Sequence, residues 1–201
     1  MAKFANGADR RIEILKSAAA AFRRSGYHGA SVDEIASALD MTKGNLYYYF
    51  QNKEEILFAC HDYSLDELLS LMDEVRAEHT RPDDKLRKLI LAFVHMTVDE
   101  LQTTALTLDL QALSPTLTKR IIVKRDRFDH GLREIVQQGM DDGLFRPGDP
   151  KMIGFAIMGA VNWISKWFDP AGPMTSADIA QRFADYLVGG LLYTTAPTRT
   201  E

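Results

Sequence analysis

The sequence predicts an all-α protein of about nine helices, in which a small N-terminal group of three with helix-turn-helix spacing precedes a larger helical bundle. Three observations carry this expectation. All seven prolines (Pro82, Pro115, Pro147, Pro150, Pro170, Pro173 and Pro197) fall where a helix should begin or end, as suits a residue without an N–H to donate. Between them the apolar residues recur with helical period, and no stretch alternates as a strand does. The first segment fits three helices into roughly forty residues, with the second and third joined by a three-residue turn.

Taken in order, the first helix is expected over about Arg10 to Ser25, burying Ile12, Leu15, Ala19 and Phe22, with Gly26 as a left-handed terminator. Ser31-Val32-Asp33-Glu34 is a capping box, so the second helix starts there and buries Ile35 and Leu39. Asp40-Met41-Thr42 makes a tight connection, and Thr42 caps a short third helix, Lys43 to Phe50. Asn52, with Glu55 three residues on, caps the fourth, which carries Ile56, Leu57, Cys60, Tyr63, Leu68, Leu71 and Val75 to about His79. The fifth covers about Pro82 to Gln102 with Leu86, Leu89, Phe93 and Met96 inward, and a shorter sixth spans about Thr104 to Leu113. Ser114-Pro115 opens the seventh, which ends at Gly143. The eighth runs from Pro150 to near Phe168, the ninth from about Ser176 to Tyr193, and Thr194 to Glu201 reads as a frayed tail. The division into a helix-turn-helix domain, 1–58, and a second domain, 59–201, falls inside a continuous fourth helix.

Composition narrows the classes. With 46 % hydrophobic residues in 201, the chain can bury one large core or two small ones. No apolar run approaches the ~18 residues of a membrane span, and Met1 to Asp9 lacks the apolar core of a secretion signal. Cys60 is the only cysteine, which excludes a disulfide framework and a cysteine metal site and fits a reducing cytoplasm. The net charge of −4 is unevenly spread: residues 1–60 carry +1 and the rest −5.

The most informative stretch is Thr42-Lys43-Gly44-Asn45-Leu46-Tyr47-Tyr48-Tyr49-Phe50-Gln51-Asn52-Lys53, which contains no acid. On a helix, Leu46 and Phe50 share one face, Gly44, Asn45, Tyr48 and Tyr49 the opposite one, and Lys43 and Tyr47 the border. An apolar back and a polar, aromatic front suit a helix pressed into the major groove of DNA. There Lys43 reaches guanine O6 or N7 and Asn45 pairs with adenine N6 and N7. Gly44 lets the backbone approach the bases, and the tyrosines offer a flat face to thymine methyls and a hydroxyl to phosphates.

With these residues the chain resembles the TetR/AcrR family of bacterial transcription regulators. The resemblance rests on Gly26-Tyr27, Ser31-Val32-Asp33-Glu34-Ile35-Ala36, the stretch Thr42 to Phe50, and Asn52-Lys53-Glu54-Glu55-Ile56-Leu57 at their spacing, and covers residues 9–58 most strongly. It implies a homodimer formed through the last two of nine helices, a ligand pocket in the C-terminal bundle, and DNA reading by Lys43, Gly44, Asn45, Tyr47, Tyr48 and Tyr49. Ser31, Thr42 and Lys53, at three helix starts, match phosphate-contacting positions, where free N–H groups also favour an anion. The residues Trp163 to Thr175 resemble the corresponding junction of members that sense acyl-CoA. Phe93, Met96, Leu108, Phe128, Trp163 and Trp167 are the candidates to line an apolar ligand pocket.

For dimerisation, the apolar circumference of Met152 to Trp163 needs cover on several faces, and Gly154, Gly159, Ala160, Gly189 and Gly190 would permit close helix approach. An enzyme would need a constellation that is missing. No two histidines lie four apart on a helix, Asp126 and His130 read as a surface ion pair, and there is no phosphate loop or nucleophile elbow. No cofactor or metal is expected. The expectation is therefore a dimeric repressor on a palindromic double-stranded operator, released by a small apolar or acyl-CoA-like effector. The alternatives are a ligand-dependent activator, or a helical carrier that has lost DNA binding, against which the acid-free stretch argues.

Overall fold

The protein, seen in a computed structural model, is described over residues 7–98 and 110–193. Among these residues there are eight α-helices: α1 Gly7–Gly29, α2 Val32–Ser37, α3 Lys43–Tyr47, α4 Lys53–Ala77, α5 Pro82–Val98, α6 Pro115–Asp141, α7 Pro150–Trp167 and α8 Ser176–Gly189. A 3-10 turn, Leu110–Ala112, precedes α6 and is the described part of the expected sixth helix, the rest of which lies outside the described residues.

Two compact units emerge, and neither is continuous in sequence. One joins residues up to Leu68 with Met96–Asp126; the other joins Leu69–His95 with Arg127 onward. In the first, Ile14, Ala18 and Phe22 of α1, Ile35 of α2, Leu46 of α3 and Ile56 of α4 are at most 1 % exposed and make the core. Gly26 ends the regular part of α1 at φ 70°, ψ 167°, a positive φ that a side chain resists, and its carbonyl accepts the Ala30 N–H at 3.1 Å. Leu39, expected inside, is only half-buried because α2 stops two residues earlier.

The second unit buries Met72 and Val75 of α4, Leu86 and Ile90 of α5, Val136 of α6, and Ile164 and Ala184 of α7 and α8. Its tightest contact is at the end of α6. A Cβ on Gly139 would stand 2.1 Å from the buried Phe145 ring, so the ring lies directly on the helix backbone. The Leu144 and Phe145 N–H groups both donate to the Gly139 carbonyl at 2.9 Å, and Gly143 makes the reversal at φ 70°. Beyond it, the Arg146 N–H donates to the Leu191 carbonyl at 2.8 Å and the Tyr193 N–H to the Leu144 carbonyl at 2.9 Å. This pairing corrects the expected end of the last helix: α8 stops at Gly189, Gly190 and Leu191 turn, and Leu192 forms an isolated antiparallel bridge with Phe145 in the α6–α7 loop.

Caps follow the sequence closely. Asp149 accepts the Lys151 N–H at 2.8 Å ahead of Pro150, and Thr175 and Asp178 form a capping box for α8. Of the glycines expected to bring helices together, Gly154 is buried against α6, where an added Cβ would stand 3.7 Å from Leu132, while Gly159 and Gly189 are exposed with nothing of this chain near an added Cβ. Among the described residues no helix is long and apolar enough to cross a membrane.

Candidate nucleic-acid interface

The site is framed by three caps. Ser31 Oγ accepts the Glu34 N–H at 3.0 Å, and the Glu34 carboxylate faces the Ser31 N–H, closing the predicted capping box. Thr42 Oγ1 accepts the Asn45 N–H at 3.2 Å, and Asn52 Oδ1 accepts the Glu55 N–H at 2.8 Å. Between α2 and α3 the chain reverses at Asp40, whose φ of 53° is left-handed, while the Met41 N–H closes back on the Ala36 carbonyl at 3.0 Å. Aspartate tolerates this backbone better than most residues, having a short polar side chain.

The helix itself is shorter than expected. Only Lys43 to Tyr47 are α-helical, and Tyr48 to Phe50 complete a final turn with the Phe50 N–H on the Leu46 carbonyl at 3.2 Å. Leu46 and Phe50 are fully buried and pin this turn to the core, and the Arg11 guanidinium covers Phe50 at 4.2 Å from its centroid. That guanidinium also donates to the Tyr49 carbonyl at 3.1 Å. The outward face holds Gly44 and Asn45, both exposed, with Tyr47 at 41 % and Tyr48 at 86 % exposure. Because the last turn tightens, Tyr49 rather than Tyr47 is the half-buried tyrosine, its ring edge-on to Tyr48 at 5.3 Å.

The two lysines are engaged inside the chain. Lys43 Nζ meets Asp33 Oδ2 at 2.8 Å, and this hydrogen bond holds the ammonium pKa above its usual value. Lys53 Nζ donates to the Tyr27 carbonyl at 2.8 Å and the Ala30 carbonyl at 2.9 Å, with the Tyr27 ring 4.5 Å beneath it. Two of its three donors are thus spent on the α1–α2 connection. Asp33, Arg11 and Tyr27 hold the candidate residues from outside the interface, through contacts that the sequence does not announce. The local pattern shows Asp33 only as part of a cap, and the absence of acid from residues 41–53 says nothing of an acid ten residues earlier.

The pocket candidates divide. Phe93 and Phe128 are buried and meet edge-to-face at 5.7 Å. Met96 is half-buried, and Leu108 lies outside the described residues. Trp163 is 64 % exposed, and Trp167 stacks on Phe183 at 6.5 Å while also facing outward, so neither joins the two phenylalanines. Among the described residues no group of three or more His, Cys, Asp and Glu is placed to hold a metal. His130 pairs with Glu134 at 3.2 Å instead of with Asp126.

Comparison with known proteins gives the same picture at both ends of the chain. Residues 14–60 match the family model described as bacterial regulatory proteins, tetR family, and residues 79–191 match the tetracyclin repressor-like C-terminal domain. The transcriptional repressor KstR2 of Mycobacterium tuberculosis is 26 % identical over 185 residues, covering 90 % of this chain and 92 % of that protein. Among solved structures, the regulator PfmR from Thermus thermophilus is 32 % identical with a TM-score of 0.79, covering 90 % of this chain and 99 % of that one. AibR, solved with isovaleryl coenzyme A and operator DNA, is also 32 % identical, with a TM-score of 0.78 and coverage of 91 % and 98 %. A short helix pinned from behind, inside a chain matched along nearly its whole length, leaves one conclusion: the protein belongs to the TetR family of transcriptional regulators.

Proposed function

We propose that this chain is a repressor that binds a palindromic operator as a homodimer and lets go when a small apolar or acyl-CoA-like molecule occupies its C-terminal half. The observation that carries the reading is the contrast across α3: Leu46 is fully buried while Tyr48, two residues on, is 86 % exposed. Tyr48 shares its exposed face with Gly44, Asn45 and Tyr47, and a contiguous aromatic patch rimmed by polar groups suits a partner surface.

In the complex, Asn45 and Lys43 read base edges, Gly44 gives clearance, and Tyr47, Tyr48 and Tyr49 supply apolar contact and hydroxyls. Ser31 and Thr42 direct their caps toward phosphates, and Lys53 offers its third donor to another. The division of labour is then residues 1–58 for DNA and 59–201 for effector and partner copy, in the cytoplasm where operator and effector meet. Met152, Phe155 and Trp163 form an exposed stripe on α7, and Tyr186 on α8 is 76 % exposed. Two copies joined over these stripes would offer two α3 helices to a palindrome, whose half-sites lie about 34 Å apart.

Support for the effector class comes from the relatives: AibR was solved with isovaleryl coenzyme A, and KstR2 is described as a ketosteroid regulator. The effector acts by binding better to a conformer whose helix spacing misfits the operator, with Phe93, Met96, Leu108 and Phe128 as the apolar candidates. Trp163 and Trp167, facing outward, are better placed for the partner copy.

The test is fluorescence anisotropy with duplexes covering the promoter beside the coding sequence. Tyr48→Ala should weaken binding by ten- to a hundredfold, the effect of about 1–3 kcal/mol at a base contact. No binding of the wild-type chain at low salt refutes the reading. Mass spectrometry of ligand retained through purification tests the effector, and an isovaleryl coenzyme A titration that leaves the DNA complex intact removes that class.

A further inference from the structure

The reading helix carries its own counter-ion. Lys43 is the only cation on α3, and it holds the carboxylate of Asp33, on α2, at 2.8 Å across the helix-turn-helix. Both side chains are exposed, so the pairing is not forced by burial. The next acid along, Glu34, pairs with Arg24 in the same way, so the first turn of α2 neutralises two cations of the head.

Binding to DNA of any sequence is driven by free cations that release counter-ions from phosphates. A lysine already paired contributes to that process only by abandoning its carboxylate, which is then left bare against a polyanion. A guanine edge offers two strong acceptors and compensates the loss; a random phosphate lattice does so only in part. We infer that Asp33 determines specificity by withholding Lys43 from indiscriminate phosphate binding. This inference rests on the proposed DNA-binding role.

The experiment takes the full-length chain, a duplex recovered by selection from random-sequence DNA, and a scrambled duplex of the same length and composition. Affinities are measured across a salt series for the wild type, Asp33→Asn, Lys43→Met and the double variant. Asp33→Asn should tighten binding to the scrambled duplex about fivefold at low salt, the equivalent of one water-screened charge contact. Its salt slope there should steepen by about 0.9, one added phosphate contact, while the selected duplex changes little, so the specificity ratio falls. In the Lys43→Met background the same substitution should give less than half of that gain.

An equal gain with and without Lys43 means that simple removal of negative charge is at work, and overturns the inference. A changed base preference in Asp33→Asn that persists without Lys43 means that Asp33 itself reads a base, and also overturns it. If the wild type binds neither duplex, the DNA-binding role fails; if it binds and Asp33→Asn shifts both duplexes equally, only the inference fails. Thermal unfolding of each variant confirms that the fold is intact.

Discussion

Replacing Lys53 with methionine isolates what the ammonium does inside the head. The methionine keeps the apolar stem and deletes two hydrogen bonds, at 2.8 and 2.9 Å to the Tyr27 and Ala30 carbonyls, together with the contact over the Tyr27 ring. A hydrogen bond from a charged donor contributes about 1.5–3 kcal/mol when buried, and a cation over an aromatic face about 0.5–1 kcal/mol. Lys53 is half-buried, so water replaces about half of each hydrogen bond's low-end contribution, leaving roughly 0.75 kcal/mol per bond and about 0.5 kcal/mol for the ring contact. The expected cost is about 2 kcal/mol, which in a chain of this size lowers Tm by roughly 4–8 °C. Circular dichroism on heating measures it. Amide exchange should quicken at residues 28–31, which the ammonium ties to the start of α4. A Tm within about 1 °C of wild type, with unchanged exchange at those amides, would refute the bracing role. In the same variant, an operator salt slope smaller by about 0.9 reports the third donor on a phosphate, a separate contribution.

Three further outcomes follow from packing and ionisation. Gly139→Ala drives a methyl into the Phe145 ring and should destabilise by about 1–3 kcal/mol despite alanine's helix preference, read as a lower denaturation midpoint. Glu54 accepts the Ser114 N–H at 2.6 Å, which holds its carboxyl below the usual range. Its stabilisation is therefore complete above the unfolded value near 4.5 and disappears as pH falls through the folded value, so Glu54→Gln should flatten the acid limb of a stability–pH curve. The Cys60 thiol is fully buried and its pKa is pushed up to about 12, so a thiol reagent at pH 8 should label it only after unfolding, and the labelling rate in urea reports opening.

Local rules carried much of this molecule. Ser31, Thr42, Asn52, Asp149 and Thr175 cap helices where hydroxyl, amide and carboxylate chemistry allows, because a cap depends only on residues within one turn. The buried pair Leu46 and Phe50 was legible for the same reason. Partners distant in sequence were not. Nothing near Lys43 announces Asp33, and nothing near Lys53 announces the carbonyls that bind it. The end of α8 escapes because Leu191 and Leu192 continue an apolar helical pattern, and only the facing segment at Phe145 draws Leu192 into a bridge. Trp163 escapes too, since an apolar residue on a helix gives no sign of whether its cover lies in its own chain.

The split composition of the first unit bears on how the protein is made. The first unit is not completed by the residues up to Leu68: it also takes in Met96–Asp126, from which Arg120 covers Phe58 of α4 at 4.4 Å and Ser114 meets Glu54. On the ribosome, the first turns of α4 therefore emerge well before these two contacts can form, and Phe58 waits through the synthesis of α5 without the Arg120 cover. Closing so long an excursion costs entropy that no local contact returns. A shortened gene product ending near residue 58 would hold every candidate DNA contact and still lack both of these α4 contacts, and a chaperone would meet the nascent chain in the same state.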